Sequence, residues 1–466
     1  MLFSTGQPQS IADVLQDKDK RVAFQQMLLK KYPTAALLVV KLNIPGEIKY
    51  NNSIDHLFTV GYNELKKSLF KNKFFLADEF VWRHPAGETA FIVVNSNGND
   101  LKLLSVNFEE TYKLGRLFDV DVLTRKGTIS RKQLNLPVRR CLICERPAKE
   151  CARSRRHTLD DLKQTIESKW YTFQQITENS DYRDKIIDLA QKSLLYEVTV
   201  NPKPGLVDPH NHDSHPDMDI FTFIDSSLSL RPYFCSCFDA GWNFAKKDLQ
   251  ELFKEIRPLG VAAEKKMFTA TNGVNTHKGA IFSLGIVVTA TAYVYHQNNN
   301  DDVDNILKIV RDMCHDLVEN DFKNLRQLPV ENLTAGQKQY LDFGLTGIRG
   351  EVQQGFPTIV KWGLPYLNKV SLNQDLNQRL LNVLLQLALH TVDSNLIKRA
   401  NYSKETINKA HQLINEYFEF GAEKTASGRS TFNQILAYFK QKNLSLGGTA
   451  DLLIVTIFFG LLTDLL

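Results

Sequence analysis

Gly115-Arg116-Leu117-Phe118-Asp119-Val120-Asp121-Val122-Leu123 alternates with a period of two. A β-strand turns successive side chains to opposite faces, so Phe118, Val120 and Val122 point into a core and Asp119 and Asp121 share the other face. Two neighbouring carboxylates repel unless a cation lies between them. Mg2+ on a polyphosphate is the usual partner, because it neutralises charge during in-line phosphoryl displacement. In that setting Gly115 lets backbone approach phosphate and Arg116 grips it. A solvated strand face carrying two acids accounts for the same residues equally well.

Outward from this strand, the first part of the chain reads as α+β. Ser10 is placed to cap a helix through Ile11, Val14 and Leu15 that runs to Lys31 and stops at Pro33. Residues 36–42 form a short β-rich run ending at Ile44-Pro45-Gly46. Residues 90–95 and 101–106 flank Asn97-Gly98, which predicts a hairpin. The texture then changes to helical stripes. Ile187, Ala190, Leu194 and Val198 form one, and Leu380, Val383, Leu384, Leu387 and Ala388 another. The expected architecture is an N-terminal α+β domain with a mixed or antiparallel sheet (residues 1–175) and an all-α C-terminal domain (residues 182–466). The seam is placed in residues 170–181, a polar stretch between two helical segments.

A chain of 466 residues with 43% hydrophobic and 23% charged residues suits two or three ordinary globular domains. Its net charge of +5 does not by itself call for nucleic acid. Residues 1–10 are polar and hold Gly6 and Pro8, unlike a signal peptide. Six cysteines in such a length do not make a disulfide scaffold, so a cytoplasmic, reducing location is expected. Residues 280–295 and 452–466 are apolar but shorter than the roughly 20 residues of a membrane span. They are read as core helices, with no membrane association.

Residues 125–157 carry eleven cations, among them Arg131, Arg140 and Arg153, against Glu145 and Glu150, a local charge of +9. Such a block suits a polyanion or an acidic partner, and a solvated basic face is the plain alternative. Inside it Cys141-x-x-Cys144, Cys151 and His157 have a spacing that can supply four tetrahedral Zn2+ ligands. Reduced cysteines also pack as small hydrophobes.

The aspartate strand is reminiscent of the Gly-x-x-x-Asp-x-Asp strand of nucleotidyltransferases. Together with Asn43-Ile44-Pro45-Gly46, Ile129-Ser130-Arg131, Arg140-Cys141-Leu142-Ile143-Cys144 and Cys151-Ala152-Arg153-Ser154-Arg155, it resembles the citrate lyase holo-acyl-carrier-protein synthase family over most of residues 1–170. The resemblance implies transfer of a phosphoribosyl-dephospho-CoA unit to a serine of the citrate lyase acyl carrier (gamma) subunit, with pyrophosphate leaving. Asp119 and Asp121 would hold Mg2+, and arginines the pyrophosphate.

Four segments of the C-terminal half combine polar and small residues. Pro202-Lys203-Pro204-Gly205-Leu206-Val207-Asp208, continuing to His215, Asp217 and Met218, is a loop broken by two prolines. A helical stripe through Phe221, Ile224 and Leu228 follows, opened by Asp217 or Asp219. Thr271-Asn272-Gly273-Val274-Asn275-Thr276-His277-Lys278-Gly279 opens an apolar helix, a setting in which free N–H groups and the helix dipole attract anions. Gly344-x-x-Gly347-x-Arg349-Gly350-Glu351 is the third. Asp393-Ser394-Asn395 with Gly447-Gly448-Thr449-Ala450-Asp451 is the fourth. The first holds more ionisable and amide groups than capping needs and reads as a site, whereas the second taken singly is a plain helix entry and the others turns or caps.

As a set, and above all through residues 276–285, they resemble the triphosphoribosyl-dephospho-CoA synthase family from about residue 186 onward. The resemblance implies that ATP and dephospho-CoA give the triphosphoribosyl adduct and adenine. A ribose hydroxyl would then attack the anomeric carbon of ATP. Within that scheme Lys203, Gly205, Asn275, Lys278, Gly279, Arg349 and Glu351 are expected along the substrate. Asp208, Asp217 and Asp451 are metal or base candidates, and His215 and His277 are proton-transfer or donor candidates. Asp213 and Pro216 stand where glycine and a basic residue are expected, Asn272 and Ala400 where glycine is, and Leu446 where proline is. The two implied reactions are consecutive. A malonate decarboxylase carrier as recipient, a non-catalytic carrier-binding chaperone, and a nucleic-acid binder are the competing readings. No interleaved aromatic and basic motif supports the last.

Overall fold

The computed structural model describes residues 2–466 except 97, 213, 324, 326–328, 330, 332 and 370–373. The chain divides into two units, Met1–Asn179 and Ser180–Leu466.

The first unit is α+β. In chain order it comprises α1 (Ile11–Lys31), β1 (Ala36–Leu42), α2 (Asn52–Lys71), β2 (Leu76–His84), β3 (Gly87–Val94), α3 (Gly98–Thr111), β4 (Phe118–Thr124), β5 (Gly127–Ile129), α4 (Ala148–Ser154) and the start of α5 (Leu159–Thr199). Ser10 caps α1 in a box closed by Asp13, and β1 spans the expected residues. The sheet runs β2-β3-β1-β4-β5 with every pair antiparallel. Leu38, Val40, Phe118, Val120 and Val122 pack with α2 and α3 on one face. Leu37, Val39 and Phe91 meet Leu28 and Phe24 of α1 on the other. Central β1 is therefore covered twice and reads as an unbroken apolar run.

Two expectations change. The hairpin placed at Asn97-Gly98 is a strand followed by a helix. Leu101, Leu104 and Phe108 are buried at helical spacing on α3, and that period prevails over the local turn signal. Asn97 itself lies outside the described residues. The hairpin joins β2 to β3 through Pro85-Ala86 instead. The polar stretch at 170–181, expected between two helical segments, is itself helical within α5. Polar residues at exposed positions do not end a helix unless proline or glycine intervenes, and neither does here.

In the second unit every regular element among the described residues is helical. The end of α5 is followed by α6 (Ile220–Ser229), α7 (Arg231–Asn243), α8 (Leu249–Ala270), α9 (Lys278–Asn298), α10 (Val303–Met313), α11 (Leu317–Phe322), α12 (Ala335–Phe343) and α13 (Ile348–Gln353). A five-residue π-helical turn, Ile359–Gly363, leads to α14 (Leu364–Lys369), α15 (Leu376–His390), α16 (Ser394–Arg399), α17 (Lys404–Glu419), α18 (Ala426–Gln441) and α19 (Gly447–Leu462). Both expected stripes are buried in its core. Helix α9 is long and apolar enough to cross a membrane, yet 72% of its apolar window is buried within the unit. It packs against α7 and α19.

Candidate functional sites

The N-terminus of α9 forms one wall of a cavity of about 320 Å³. Lys203, His215, Asn275, His277, Lys278, Gly279 and Asp451 line it together, and so do Glu197, Arg399 and Ser445, which the sequence did not single out. Asp451, on the second turn of α19, is half-buried, and the surface it keeps opens on this cavity. Burial first, then the charges of Asp393 and Glu197, push its carboxyl well above the ordinary range. The Ala280 N–H only partly offsets them. Its approach to α9 requires Gly279, because a Cβ there would stand 1.8 Å from Asp451 Oδ2.

His277 is 1% exposed. Burial, aided by the Lys203 cation, lowers its imidazolium pKa to about 3, so the ring stays neutral. Its Nδ1 lies 2.7 Å from Ser226 Oγ, which accepts the Thr276 hydroxyl at 2.7 Å. Nε2 has no partner among the described residues. Lys203 and Glu197 form a buried pair at 2.6 Å. Lys278 is half-exposed and 2.9 Å from Glu264. Arg399 donates to Asn443 Oδ1 at 2.8 Å and approaches His215 at 3.4 Å. The pocket thus combines an acid whose carboxyl is pushed above its ordinary range and a neutral histidine with two accessible cations.

In the first unit Asp119 and Asp121 project from one face of β4, as expected. The cation between them is Lys41 of β1, whose Nζ lies 2.8 Å from Asp119 and 3.2 Å from Asp121. Arg139 Nη1 adds a contact to Asp119 at 3.3 Å. Burial opposes ionisation of Asp119, but Lys41 and Arg139 outweigh it and hold the carboxyl below its usual range. A cavity of about 210 Å³ beside Asp119 is lined by Asp17, Arg21, Lys41, Lys49 and Glu88. Glu88 is 2% exposed, neither oxygen has a hydrogen-bond partner among the described residues, and burial raises its carboxyl to about 7. Gly115 serves packing: a Cβ there would lie 2.2 Å from Phe108 O at the end of α3.

Residues 9–173 match the family described as apo-citrate lyase phosphoribosyl-dephospho-CoA transferase (CitX). Residues 183–466 match that of ATP:dephospho-CoA triphosphoribosyl transferase (CitG). The chain is 38% identical to Protein CitXG of Leuconostoc mesenteroides subsp. cremoris, covering 98% of each protein. It is 33% identical to Protein CitXG of Haemophilus influenzae, over 98% of this chain and 97% of the relative. Over 60% of its length it is 50% identical to a probable 2-(5''-triphosphoribosyl)-3'-dephosphocoenzyme-A synthase of Lactiplantibacillus plantarum, covering 98% of that protein.

The chain belongs to both families, fused in one polypeptide. It is a transferase. Against that identity, the geometry sorts the expected residues of the CitG part. Asp208 accepts from the backbone N–H groups of Lys203, His210 and Asn211, which shapes the loop containing Gly205. Asp217 is exposed and does not line the cavity, whereas Met218 does. Asp219 caps α6, whose Phe221 and Leu228 are 71% and 59% exposed rather than core. The buried residues of that helix are Ser226 and Ser227.

Arg349 pairs with Asp321 at 2.7 Å. Glu351 accepts from the Thr358 hydroxyl at 2.6 Å and lines a separate cavity of about 300 Å³, whose wall includes Ser394 and Gly448. Asn272 stands where glycine is usual and adopts φ +52°, a left-handed conformation that asparagine tolerates. Asp213 lies outside the described residues.

In the CitX part, Arg131 pairs with Glu109 and Glu110, and Arg140 with Glu145. Arg116 pairs with Glu110 and reaches the carbonyls of Arg140 and Cys141. Arg153 is exposed. Cys141, Cys144, Cys151 and His157 bring their ligand atoms within 4.8 Å of one another. Sequence reasoning missed Lys41, although Asn43-Ile44-Pro45-Gly46 begins two residues later. It missed Ser226 and Arg399 as well, which sit in stretches that read as plain helix.

Proposed function

We propose that the CitG part converts ATP and dephospho-CoA into 2'-(5''-triphosphoribosyl)-3'-dephospho-CoA and adenine. The CitX part then transfers the phosphoribosyl-dephospho-CoA unit to a serine of the apo citrate lyase carrier, releasing pyrophosphate. The observation that carries this reading is the single pocket that gathers Asp451, its carboxyl pushed above the ordinary range by burial, with neutral His277, Lys278 and Arg399. Breaking the bond between adenine and ribose requires a proton on the base, and attack by a ribose hydroxyl releases one. Asp451 can give the first and, as carboxylate, take the second, so proton balance closes on one side chain. His277 Nε2 is a further polar group for the substrate, and the cations would face the triphosphate.

For attachment, the serine oxygen bonds to the α-phosphorus as the bond to pyrophosphate breaks. Asp119 and Asp121 offer the oxygen ligands that suit Mg2+, and the ion would neutralise the polyphosphate. Arg131, Arg140 and Arg153 lie in the basic segment that would hold the leaving group, and Arg116 precedes the aspartate strand. The donor set of the Cys/His cluster suits Zn2+. ATP, dephospho-CoA and a carrier as reactants place the work in the cytoplasm.

The test is mass spectrometry of the apo carrier after incubation with the full chain, ATP, Mg2+ and dephospho-CoA, with adenine followed in parallel. Adenine release with the phosphoribosyl-dephospho-CoA mass on the carrier supports both assignments. Adenine without the mass shift overturns the attachment half, and neither signal overturns the whole.

A further inference from the structure

Residues 130–158 are long for a segment without a core. All are described, and Cys151 alone among them is buried. Such a segment needs a staple to hold one conformation. The backbone supplies a short hairpin: Arg140 bridges Pro147, Cys141 N donates to Arg146 O at 2.7 Å, and Ala148 N to Arg139 O at 2.9 Å. Cys141 and Cys144 lie on this hairpin, Cys151 on α4, and His157 just beyond the left-handed Arg155.

Cys144 Sγ is 3.4 Å from Cys151 Sγ and 3.3 Å from His157 Nε2. A disulfide needs about 2.05 Å, and all six cysteines are free. Tetrahedral zinc, with bonds of about 2.3 Å to sulfur and 2.0–2.1 Å to nitrogen, sets its ligands about 3.6–3.8 Å apart. These two separations are within a few tenths of an ångström of that spacing, and all four ligand atoms lie within 4.8 Å of one another.

The hairpin is also tied to the aspartate strand. Arg139 donates to Phe118 O at 2.7 Å and Arg116 O at 3.1 Å while contacting Asp119. Arg116 donates back to the carbonyls of Arg140 and of Cys141 itself. A change in the fold of the hairpin therefore moves the guanidinium that faces Asp119.

We propose that Cys141, Cys144, Cys151 and His157 bind one Zn2+, and that this ion pins the hairpin so that Arg139 stays on Asp119. Carrier attachment then depends on zinc while adenine release does not. The dependence rests on the attachment reading above; the metal site does not.

The full chain, expressed with Zn2+ available, is analysed for metal, as is Cys144→Ser. The wild type is also stripped with a thiol-reactive mercurial and chelator, then resupplied with Zn2+ after the thiols are freed. The expected result is about one zinc per chain, lost in the variant. Carrier loading falls about 100-fold in the variant and in stripped protein. Adenine release stays unchanged, and zinc restores loading to the stripped wild type. Co2+ in place of zinc gives the visible bands of a tetrahedral thiolate site. Hydrogen exchange across residues 116–121 and 139–148 speeds up on stripping.

Absence of zinc in the wild type, or iron in its place, overturns the site. A zinc-free chain that loads carrier like the wild type overturns the pinning. If the wild type loads no carrier at all, the attachment reading fails. Metal content and hydrogen exchange then still decide this proposal.

Discussion

Asp119 and Asp451 are the same residue pushed in opposite directions. Asp119 is 40% exposed on a strand, with Lys41 and Arg139 against it, and is held ionised. Asp451 lines a pocket, and burial first, then the charges of Asp393 and Glu197, push its carboxyl above the usual range. The difference matches the chemistry proposed for each unit. Displacement at phosphorus needs fixed charge to offset a polyphosphate, whereas breaking a glycosidic bond needs a proton to give. An aspartate is suited to either task by its surroundings alone.

The largest effect should come from exchanging these carboxyls for amides. Asp451→Asn is expected to cut adenine release about 1,000-fold and to leave loading from supplied triphosphoribosyl donor intact. Asp119→Asn should do the converse by a similar factor. If both variants damaged both reactions, the contrast would fail. Next in size, Gly279→Ala drives a methyl group into the Asp451 carboxylate. Steady-state adenine release should drop about 100-fold through displacement of the acid, with loading untouched.

His277→Ala should cost about tenfold to 100-fold in adenine release, with partial recovery in His277→Gln, which keeps an N–H donor. Because the ring titrates at about 3, the wild-type rate should show no inflection near 6.5 that the Gln variant lacks. The stability sign also follows. The folded pKa lies below the unfolded one, so this contribution is full above about 6.5 and declines as pH falls toward 3. Acid unfolding should therefore be milder in His277→Gln.

The smallest effect concerns Glu88. Its folded pKa, about 7, lies above the ordinary 4.5. Its contribution is thus complete below about pH 4.5 and lost as pH rises through 7. Glu88→Gln should remove that slope, worth at most about 3 kcal/mol. Thermal melts from pH 5 to 8 would show it, and parallel curves for the two proteins would refute the assignment.

Much of this was legible in the sequence. The alternation at 117–123 placed both aspartates on one face of a strand, and Ser10 with Pro33 bracketed α1. The run from Thr276 to Gly279 marked a pocket wall. What misled was local. Asn97-Gly98 signalled a turn between strands, but Leu101, Leu104 and Phe108 needed a helix to bury themselves. Asp208 looked chemical and turned out to hold backbone N–H groups, a use that the same residue type serves in any loop, whereas Asp219 caps its helix as one of the two residues expected to open it.

Periodicity, caps and chain breaks act within a few residues, so the sequence by itself determined the helices, the strands and the division into an α+β part and a helical part. Whether a carboxyl is charged depends on groups brought from far along the chain. Lys41 reaches Asp119 from the neighbouring strand, while Asp393 and Glu197 come up to Asp451 from other helices. Only the tertiary structure decided those encounters, because burial and Coulomb interaction depend on distance in space and not on separation in sequence.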